Sequence, residues 1–167
     1  SILENTVIDQ SLLAEMLVLP GEKYLSELSK PVDVHMIHQA REFVKDVIAT
    51  SCADQFLSLY HSCQGDGQFE ITPKAMGRRS LKNSCLNYLT RLHKTEYYEL
   101  AKKQYDAADN MTDQLGSLSA MVDEEHPLRD DMFDAFYRQW SDTPLVVDKW
   151  FRLQASTNNE RALEMVQ

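Results

Sequence analysis

Residues 127–155 read PLRDDMFDAFYRQWSDTPLVVDKWFRLQA, and this stretch decides the fold. Each of its two prolines opens a pattern in which apolar side chains recur every three or four residues, as they do on one face of an α-helix. Proline is favoured at the first helical position, where its missing N–H is not needed. The link between the two patterns is only a few residues long, so consecutive helices must fold back antiparallel. The stretch therefore predicts a helical hairpin, with one helix opened by Pro127 and the next by Pro144.

The same helix signals recur along the rest of the chain, whereas strand signals are almost absent. A continuous apolar pattern from Asp33 to Cys63 predicts one long helix or two nearly collinear helices. Only Gln68 to Ile71 has a composition compatible with an extended segment. Helix caps are predicted at Asp9, at Thr72, at Thr95 and at either Asn110 or Thr112. The sequence thus predicts an all-α chain, an irregular α-solenoid of stacked antiparallel helix hairpins, with residues 1–167 as a single helical region.

The two ends of the chain indicate a fragment of a larger helical domain. The first residue is Ser1 rather than Met. The segment Asn158 to Gln167 has the pattern of a capped helix, yet it stops without the Gly or Pro that usually follows a helix. We therefore expect the natural protein to continue. Apolar residues near the cut, such as Leu163 and Val166, are expected to be either poorly ordered or covered by a neighbouring chain.

Composition excludes several classes of function. The net charge of -9 disfavours binding to nucleic acid or to an anionic membrane, because the field of the protein repels phosphate. No apolar run is long enough to span a membrane, and the first ten residues lack a signal peptide's pattern. Three cysteines are an odd and sparse set, which is typical of free thiols in a reducing compartment. The sequence predicts a cytoplasmic location.

The search for catalytic motifs returns two weak candidates for metal binding. His35, His38 and Glu42 lie on one face of a predicted helix, and His61 stands two residues before Cys63. The structural interpretation is favoured for both, because no third ligand accompanies the histidine pair and Cys63 belongs to an apolar pattern. H-E-x-x-H, C-x-x-C, phosphate-binding glycine loops and G-x-S-x-G are all absent from the sequence.

Charge is distributed unevenly along the chain. No acid occurs between Glu70 and Glu96, so that segment has a basic face, and the acids cluster between Asp106 and Asp134. Nucleic-acid binding by the basic face is disfavoured, because almost no stacking aromatics accompany the charges. The favoured interpretation is that both faces are solvated, or meet each other or another domain.

Four segments resemble segments of bacterial aminopeptidase N in the correct order along the chain. Asn110 to Asp113 resembles the family's NMTD segment, and Pro144 to Ala155 resembles its LVxDKWFxLQA helix. Arg79 to Leu86 and Leu12 to Pro20 resemble two further segments of the family. The resemblance covers nearly the whole chain and is far more specific than any one match.

The resemblance implies that this chain is a non-catalytic part of a peptidase. Members of the family are zinc metallopeptidases that release N-terminal amino acids, using H-E-x-x-H and G-x-M-E-N segments that this sequence lacks. It therefore implies no catalytic, cofactor-binding or metal-binding residue here, with zinc held elsewhere in the parent enzyme. The family's C-terminal helical domain covers the active site and restricts entry to peptides. The implied partners are the catalytic and other domains of the parent chain, with peptides as substrates.

Five residues in the family-like segments are predicted to be structural: Asn110, Asp113, Asp148, Lys149 and Trp150. Asp148 is expected to tether its helix, and Trp150 to pack near Phe136 or Trp140. Two alternatives stay open at this point. One is a free-standing α-solenoid scaffold that binds a protein partner along its concave face. The other is a small metal-dependent enzyme built on His35, His38 and Glu42.

Overall fold

The computed structural model describes residue 3, residues 8–65 and residues 69–157. These residues form nine α-helices and no β-strand, which confirms the all-α prediction. The helices are α1 Gln10–Met16, α2 Glu22–Leu28, α3 Val34–Ser51, α4 Ala53–Ser62, α5 Pro73–Thr90, α6 Thr95–Ala107, α7 Met111–Met121, α8 Pro127–Trp140 and α9 Pro144–Ala155. None of these helices is both long enough and apolar enough to cross a membrane.

The chain divides into two compact units, residues 1–92 (unit 1) and residues 93–167 (unit 2). In unit 1, α1, α3 and α4 each pack against α5, and α2 packs against α3. In unit 2, α6 packs against α7, α8 packs against α9, and α6 and α7 both contact α8. That residues 1–167 act as a single region stays a prediction.

Side-chain caps begin several helices where the sequence predicts them. Asp9 accepts hydrogen bonds from the N–H groups of Ser11 and Leu12, and Thr72 accepts one from Ala75 ahead of Pro73. Such bonds satisfy N–H groups that have no partner inside the helix. The structure therefore confirms both predicted caps. A cap could be predicted from the sequence because it depends only on neighbouring residues.

One helix boundary differs from the prediction, and one alternative that the sequence left open is decided. Thr95 is the first residue of α6 rather than its cap, and the capping position is Lys94, which makes no side-chain cap bond. The pattern from Asp33 to Cys63 is divided at Cys52, whose φ of -121° and ψ of 19° lie outside the helical range. No Gly or Pro marks that break, so the sequence did not choose between one helix and two. Asn158 to Gln167 and Gln68 lie outside the described residues.

The core of unit 1 forms around α5. Phe56 of α4 is fully buried and stacks on Tyr88 of α5, with ring centroids 4.8 Å apart and planes 8° apart. The Tyr88 hydroxyl donates to the backbone carbonyl of Leu17 at 2.7 Å, which ties the end of α1 to the same ring. The aromatic pair therefore connects three helices.

The contact between α1 and α5 depends on Gly77. A Cβ atom at this position would clash with the Ser11 hydroxyl and lie 2.9 Å from the Ser11 backbone nitrogen. Real Cβ contacts are not that short, so the side-chain hydrogen of glycine is what allows the two helices to approach. Gly77 is buried, as are Leu13 and Ala14 of α1.

The core of unit 2 is rich in aromatic and sulfur-containing side chains. Phe133 and Phe136 of α8 are 2% and 0% exposed, and Met121 of α7 is 0% exposed. Consecutive helices contribute to this core from both sides, as expected for helical hairpins with short links. Its other buried apolar members are Tyr97, Tyr98, Ala101, Tyr105, Leu118, Ala120 and Met132.

Candidate functional site

Asn110 and Asp113 fix the start of α7. The Asn110 side-chain oxygen accepts from the Asp113 backbone N–H at 2.9 Å, so Asn110 rather than Thr112 is the cap. Asp113 is 6% exposed, and its carbonyl accepts from Gln104 Nε2 at 3.1 Å and from the Ser117 hydroxyl at 3.0 Å. The bond from Gln104 joins α6 to α7. The role of Asn110 and Asp113 seen here is to fix the start of α7.

Trp150 anchors α9 to α8, but on a different row of side chains from the one predicted. Its Nε1 donates to the Phe133 carbonyl at 2.9 Å, and its ring centroid lies 4.9 Å from that of Tyr137. Phe136 is instead fully buried, and Trp140 Nε1 donates to Gln114 Oε1 of α7 at 3.2 Å. Residues four apart form parallel rows on a helix, and the sequence does not show which row faces which neighbour.

Asp148 and Lys149 are both exposed on α9. Asp148 lies beyond the first turn of the helix, and neither side chain forms a hydrogen bond or ion pair with another described residue. The tethering role expected for Asp148 therefore has no partner in the described part of the chain. It stays a prediction for contacts with other parts of a larger protein.

Replacing Trp150 by Phe should lower the free energy of unfolding of unit 2 by about 1–2 kcal/mol, because the bond from Nε1 is lost together with part of the ring. Asp148→Asn should change it by no more than about 0.5 kcal/mol, since the carboxylate is exposed and unpaired among the described residues. Denaturant unfolding followed by far-ultraviolet circular dichroism and tryptophan fluorescence measures both. A larger loss for Asp148→Asn than for Trp150→Phe would contradict this assignment.

His35, His38 and Glu42 are each held by a different neighbour. His38 Nδ1 lies 2.8 Å from Glu22 Oε1, and His35 Nε2 lies 2.9 Å from Gln39 Nε2. Burial raises the pKa of Glu42, but Lys45 at 2.6 Å and Arg91 at 2.9 Å outweigh it and lower that pKa overall. His38 and Glu42 thereby join α3 to other parts of unit 1, whereas the contact of His35 lies within α3.

The described residues contain no group of three or more His, Cys, Asp or Glu side chains placed to hold a metal ion. The zinc implied by the resemblance to aminopeptidase N therefore has no fitting ligand set in this part of the chain. His61 and Cys63, the second candidate pair, differ in environment, because His61 is exposed and Cys63 is 1% exposed.

The cysteines are free, and two of them are buried. Burial raises the pKa of Cys85 to about 12 and raises that of Cys63 as well. A thiol with a raised pKa carries little thiolate at neutral pH and is a poor nucleophile. Cys52, at the break between α3 and α4, is only half-buried. The buried pair acts as small hydrophobic side chains.

The basic segment before Glu96 is not one uniform surface. Lys82 is 6% exposed, and Arg91 binds Asp46 through Nε at 3.0 Å and also Glu42. Arg79 lies over the Phe69 ring at 4.8 Å. Much of this positive charge is therefore used inside unit 1, which supports the interpretation that disfavours nucleic-acid binding.

A buried carboxylate in unit 2 forms a polar cluster that the sequence did not reveal. Glu124 is 6% exposed and accepts a hydrogen bond from the Tyr98 hydroxyl at 2.5 Å. His93 Nδ1 lies 2.8 Å from the same oxygen, and His93 has a φ of 53°, in the left-handed region that favours glycine. The cluster joins the segment before α6 to the segment after α7. Its sequence signal is hidden, since Glu124 is one of many acids in its region.

The Tyr98 hydroxyl is neutral in this cluster. Burial and the hydrogen bond to the Glu124 carboxylate both raise the pKa of Tyr98, because a phenolate there would face an existing negative charge. The neutral Tyr98 hydroxyl therefore remains a donor to the Glu124 carboxylate, and this hydrogen bond connects α6 to the segment after α7. The phenol and the carboxylate are both buried, so their role is to hold the two segments together.

One family model, described as a domain of unknown function (DUF3458_C) with ARM repeats, matches residues 1–167. The chain belongs to this family. The ARM-repeat description confirms the predicted helical-repeat fold. Membership gives the class of fold, since the family is not itself named for an activity.

The predicted relationship to aminopeptidase N is confirmed by two curated relatives. Aminopeptidase N of Escherichia coli (strain K12) is 34% identical over 168 residues, which are 99% of this chain and 19% of that protein. Aminopeptidase N of Haemophilus influenzae (strain ATCC 51907 / DSM 11121 / KW20 / Rd) is 35% identical over 160 residues, which are 95% of this chain and 18% of that protein. The chain thus spans less than one fifth of these relatives.

A solved structure shows the same fold. The crystal structure of Legionella pneumophila aminopeptidase A in complex with aspartic acid matches with a TM-score of 0.81 and 24% sequence identity. The match covers 98% of this chain and 20% of that one. At this identity the likeness supports the helical architecture alone.

Proposed function

We propose that this chain is a non-catalytic helical part of a zinc-dependent aminopeptidase, a hydrolase that releases N-terminal amino acids from peptides. The observation that carries the proposal is the 34% identity to an aminopeptidase N over 99% of this chain. The same alignment occupies only 19% of the relative, which leaves room for a catalytic region outside it. The zinc ligands and the catalytic residues belong to that region.

The physical role of the helical part is to cover the active-site chamber. A stack of helices forms a curved wall, which admits short or unfolded peptides and excludes folded proteins from the catalytic centre. Such a wall also keeps bulk water from the metal site. The contacts of Asn110, Trp150 and Glu124 support this role, because each fixes a helix or a loop within unit 2.

The partners of the chain are then the catalytic and other domains of the same polypeptide, with peptides as substrates. Neither nucleic acid nor a membrane is a partner, in keeping with the net charge of -9. The free, buried thiols of Cys63 and Cys85 favour a cytoplasmic location, where thiols stay reduced.

The test compares the longer protein with the isolated chain. The longer protein should release alanine from an alanyl anilide and from a short peptide with a free N-terminus, but not from the same peptide after acetylation. The isolated 167-residue chain should release none, with or without added zinc. His35→Ala in the longer protein should leave turnover unchanged. Turnover by the isolated chain that disappears in His35→Ala would instead favour the small metal enzyme.

A free-standing α-solenoid scaffold is the alternative, and the size of the natural protein distinguishes it. An epitope-tagged chromosomal copy should migrate far above the 19.2 kDa of this chain. A natural product near 19.2 kDa would favour the scaffold and remove the proposed function.

A further inference from the structure

Helix α3 has a second apolar face that its own unit leaves uncovered. Met36, Ala40, Phe43 and Val47 follow one another at steps of four, three and four residues, so they form a single line along the helix, here named the outer stripe. Met36 is 57% exposed, Phe43 is 67% exposed and Val47 is 46% exposed. Isolated exposed apolar residues are normal, but a continuous line of them marks an interaction surface.

The other side of α3 is already occupied. Ala49 is fully buried there, and Arg91, which follows α5, donates to Glu42 and to Asp46 on α3. These contacts fix the rotation of α3 about its axis. The helix cannot roll to bury the outer stripe without breaking the ion pairs of Arg91 with Glu42 and Asp46 and exposing Ala49. The stripe is therefore a permanent surface of unit 1.

Repeat architecture indicates what kind of surface this is. In a stack of helical repeats, an inner repeat has apolar faces on both sides, while a terminal repeat has a polar outer face that keeps the stack soluble. Helix α3 has the pattern of an inner repeat. The aminopeptidase N relatives extend over about five times the length of this chain, so a parent chain of that size supplies further elements to pack here.

We propose that the outer stripe of α3 is the docking site of an amphipathic α-helix from the parent polypeptide outside residues 1–167. The docked helix presents apolar side chains at three- and four-residue spacing, which interlock with Met36, Phe43 and Val47. This inference rests on the proposed function, because it needs a longer parent chain. It goes further by naming the surface and the kind of element that covers it.

Thiol labelling of the full-length parent tests the docking site directly. Phe43→Cys is introduced together with Cys52→Ser, and labelling by a maleimide is quantified by mass spectrometry on the peptide that contains position 43. The thiol should react at least about tenfold more slowly in the native protein than in urea, as expected for a covered surface. Glu27→Cys, at an exposed polar position of α2, is the matched control for reagent access. Native reaction at position 43 within about twofold of the urea rate would overturn the proposal.

A second variant shows whether the occupant is held by this stripe. With Val47→Cys as the reporter thiol, adding Phe43→Glu should restore labelling by about tenfold, because a charge at the centre of the stripe opposes apolar docking. Phe43 is exposed within its unit, so this change does not disturb the core. Unchanged protection in Phe43→Glu would overturn the proposal.

Two further outcomes separate the possible causes of failure. Protection that disappears when the protein is diluted would identify a second copy as the occupant and overturn the docking of a parent helix. A parent that hydrolyses alanyl anilide yet leaves position 43 fully reactive would refute the docking site while the proposed function stands. A natural product of 19.2 kDa would remove the proposed function itself.

Discussion

Replacing Phe56 by Ala should lower the free energy of unfolding of unit 1 by about 3–5 kcal/mol, the range for truncation of a large buried aromatic side chain. Phe56 is 0% exposed, so the change leaves a cavity beneath α5. It also removes the stacking on Tyr88, an interaction of about 0.5–1.5 kcal/mol beyond buried area. Denaturant unfolding followed by far-ultraviolet circular dichroism measures the loss.

The matched control for Phe56 is another phenylalanine of the same unit. Phe43→Ala should change the free energy of unfolding of the isolated chain by no more than about 0.5 kcal/mol, because Phe43 is 67% exposed. Both tryptophans lie in unit 2, so their fluorescence follows that unit alone and separates its transition from that of unit 1. Equal losses for Phe56→Ala and Phe43→Ala would refute the assigned core.

Tyr98→Phe should lower the free energy of unfolding of unit 2 by about 1.5–3 kcal/mol, the usual contribution of a hydrogen bond to a charged group. The change deprives the buried Glu124 carboxylate of its closest donor and leaves His93 as the remaining one. Tyr97→Phe is the control on the same helix. Tyr97 is also buried, and its hydroxyl has no hydrogen-bond partner in the described part of the chain, so a change within about 0.5 kcal/mol is expected.

A double-mutant cycle assigns the effect of Tyr98→Phe to the contact with Glu124. In the Glu124→Gln background the carboxylate is gone, and Tyr98→Phe should cost clearly less than it does in the wild type. Thermal unfolding followed by tryptophan fluorescence reports all four proteins. Equal costs in both backgrounds would show that the phenol acts through packing rather than through the carboxylate.

The same hydroxyl predicts a dependence on alkaline pH. The pKa of Tyr98 is higher in the folded state than the ordinary tyrosine value of about 10. The contribution of its neutral form is therefore fully present below pH about 10 and is lost as the pH rises beyond that value. The stability difference between the wild type and Tyr98→Phe should shrink above pH about 10, and a difference that grows there would contradict the cluster.

Local signals explain how much of the fold was predictable. Asp9 and Thr72 cap helices as predicted, because the cap bond reaches only two or three residues along the chain. For α7 the sequence left Asn110 and Thr112 open, and Asn110 is the cap. Lys94 replaces the predicted Thr95 as a capping position, although it makes no cap bond with its side chain. Sequence propensity thus locates the start of a helix to within one or two residues, but it does not reliably identify the capping residue itself.

Contacts between distant residues explain what was missed. The bond from Tyr98 to Glu124 spans 26 positions, and no pattern in the sequence relates the two. Trp150 was assigned to the correct helix but to the wrong row of side chains, because Phe136 and Tyr137 are adjacent in sequence and only packing decides which one faces α9. The burial of Glu124 and the choice of the α8 side chain that contacts Trp150 are both determined by tertiary packing.

The close approach of α1 to α5 limits which residues evolution can place at position 77. The nearest fixed obstacle to a side chain there is the Ser11 backbone nitrogen, which every residue type at position 11 retains. A change at position 11 therefore cannot create space for alanine at position 77, so no pair of compensating substitutions at these two sites is open to natural selection. In a saturation library that selects for folded chains, variation at Ser11 and Gly77 should be uncorrelated: position 11 tolerates several small residues, while position 77 admits glycine alone unless the whole of α1 is displaced.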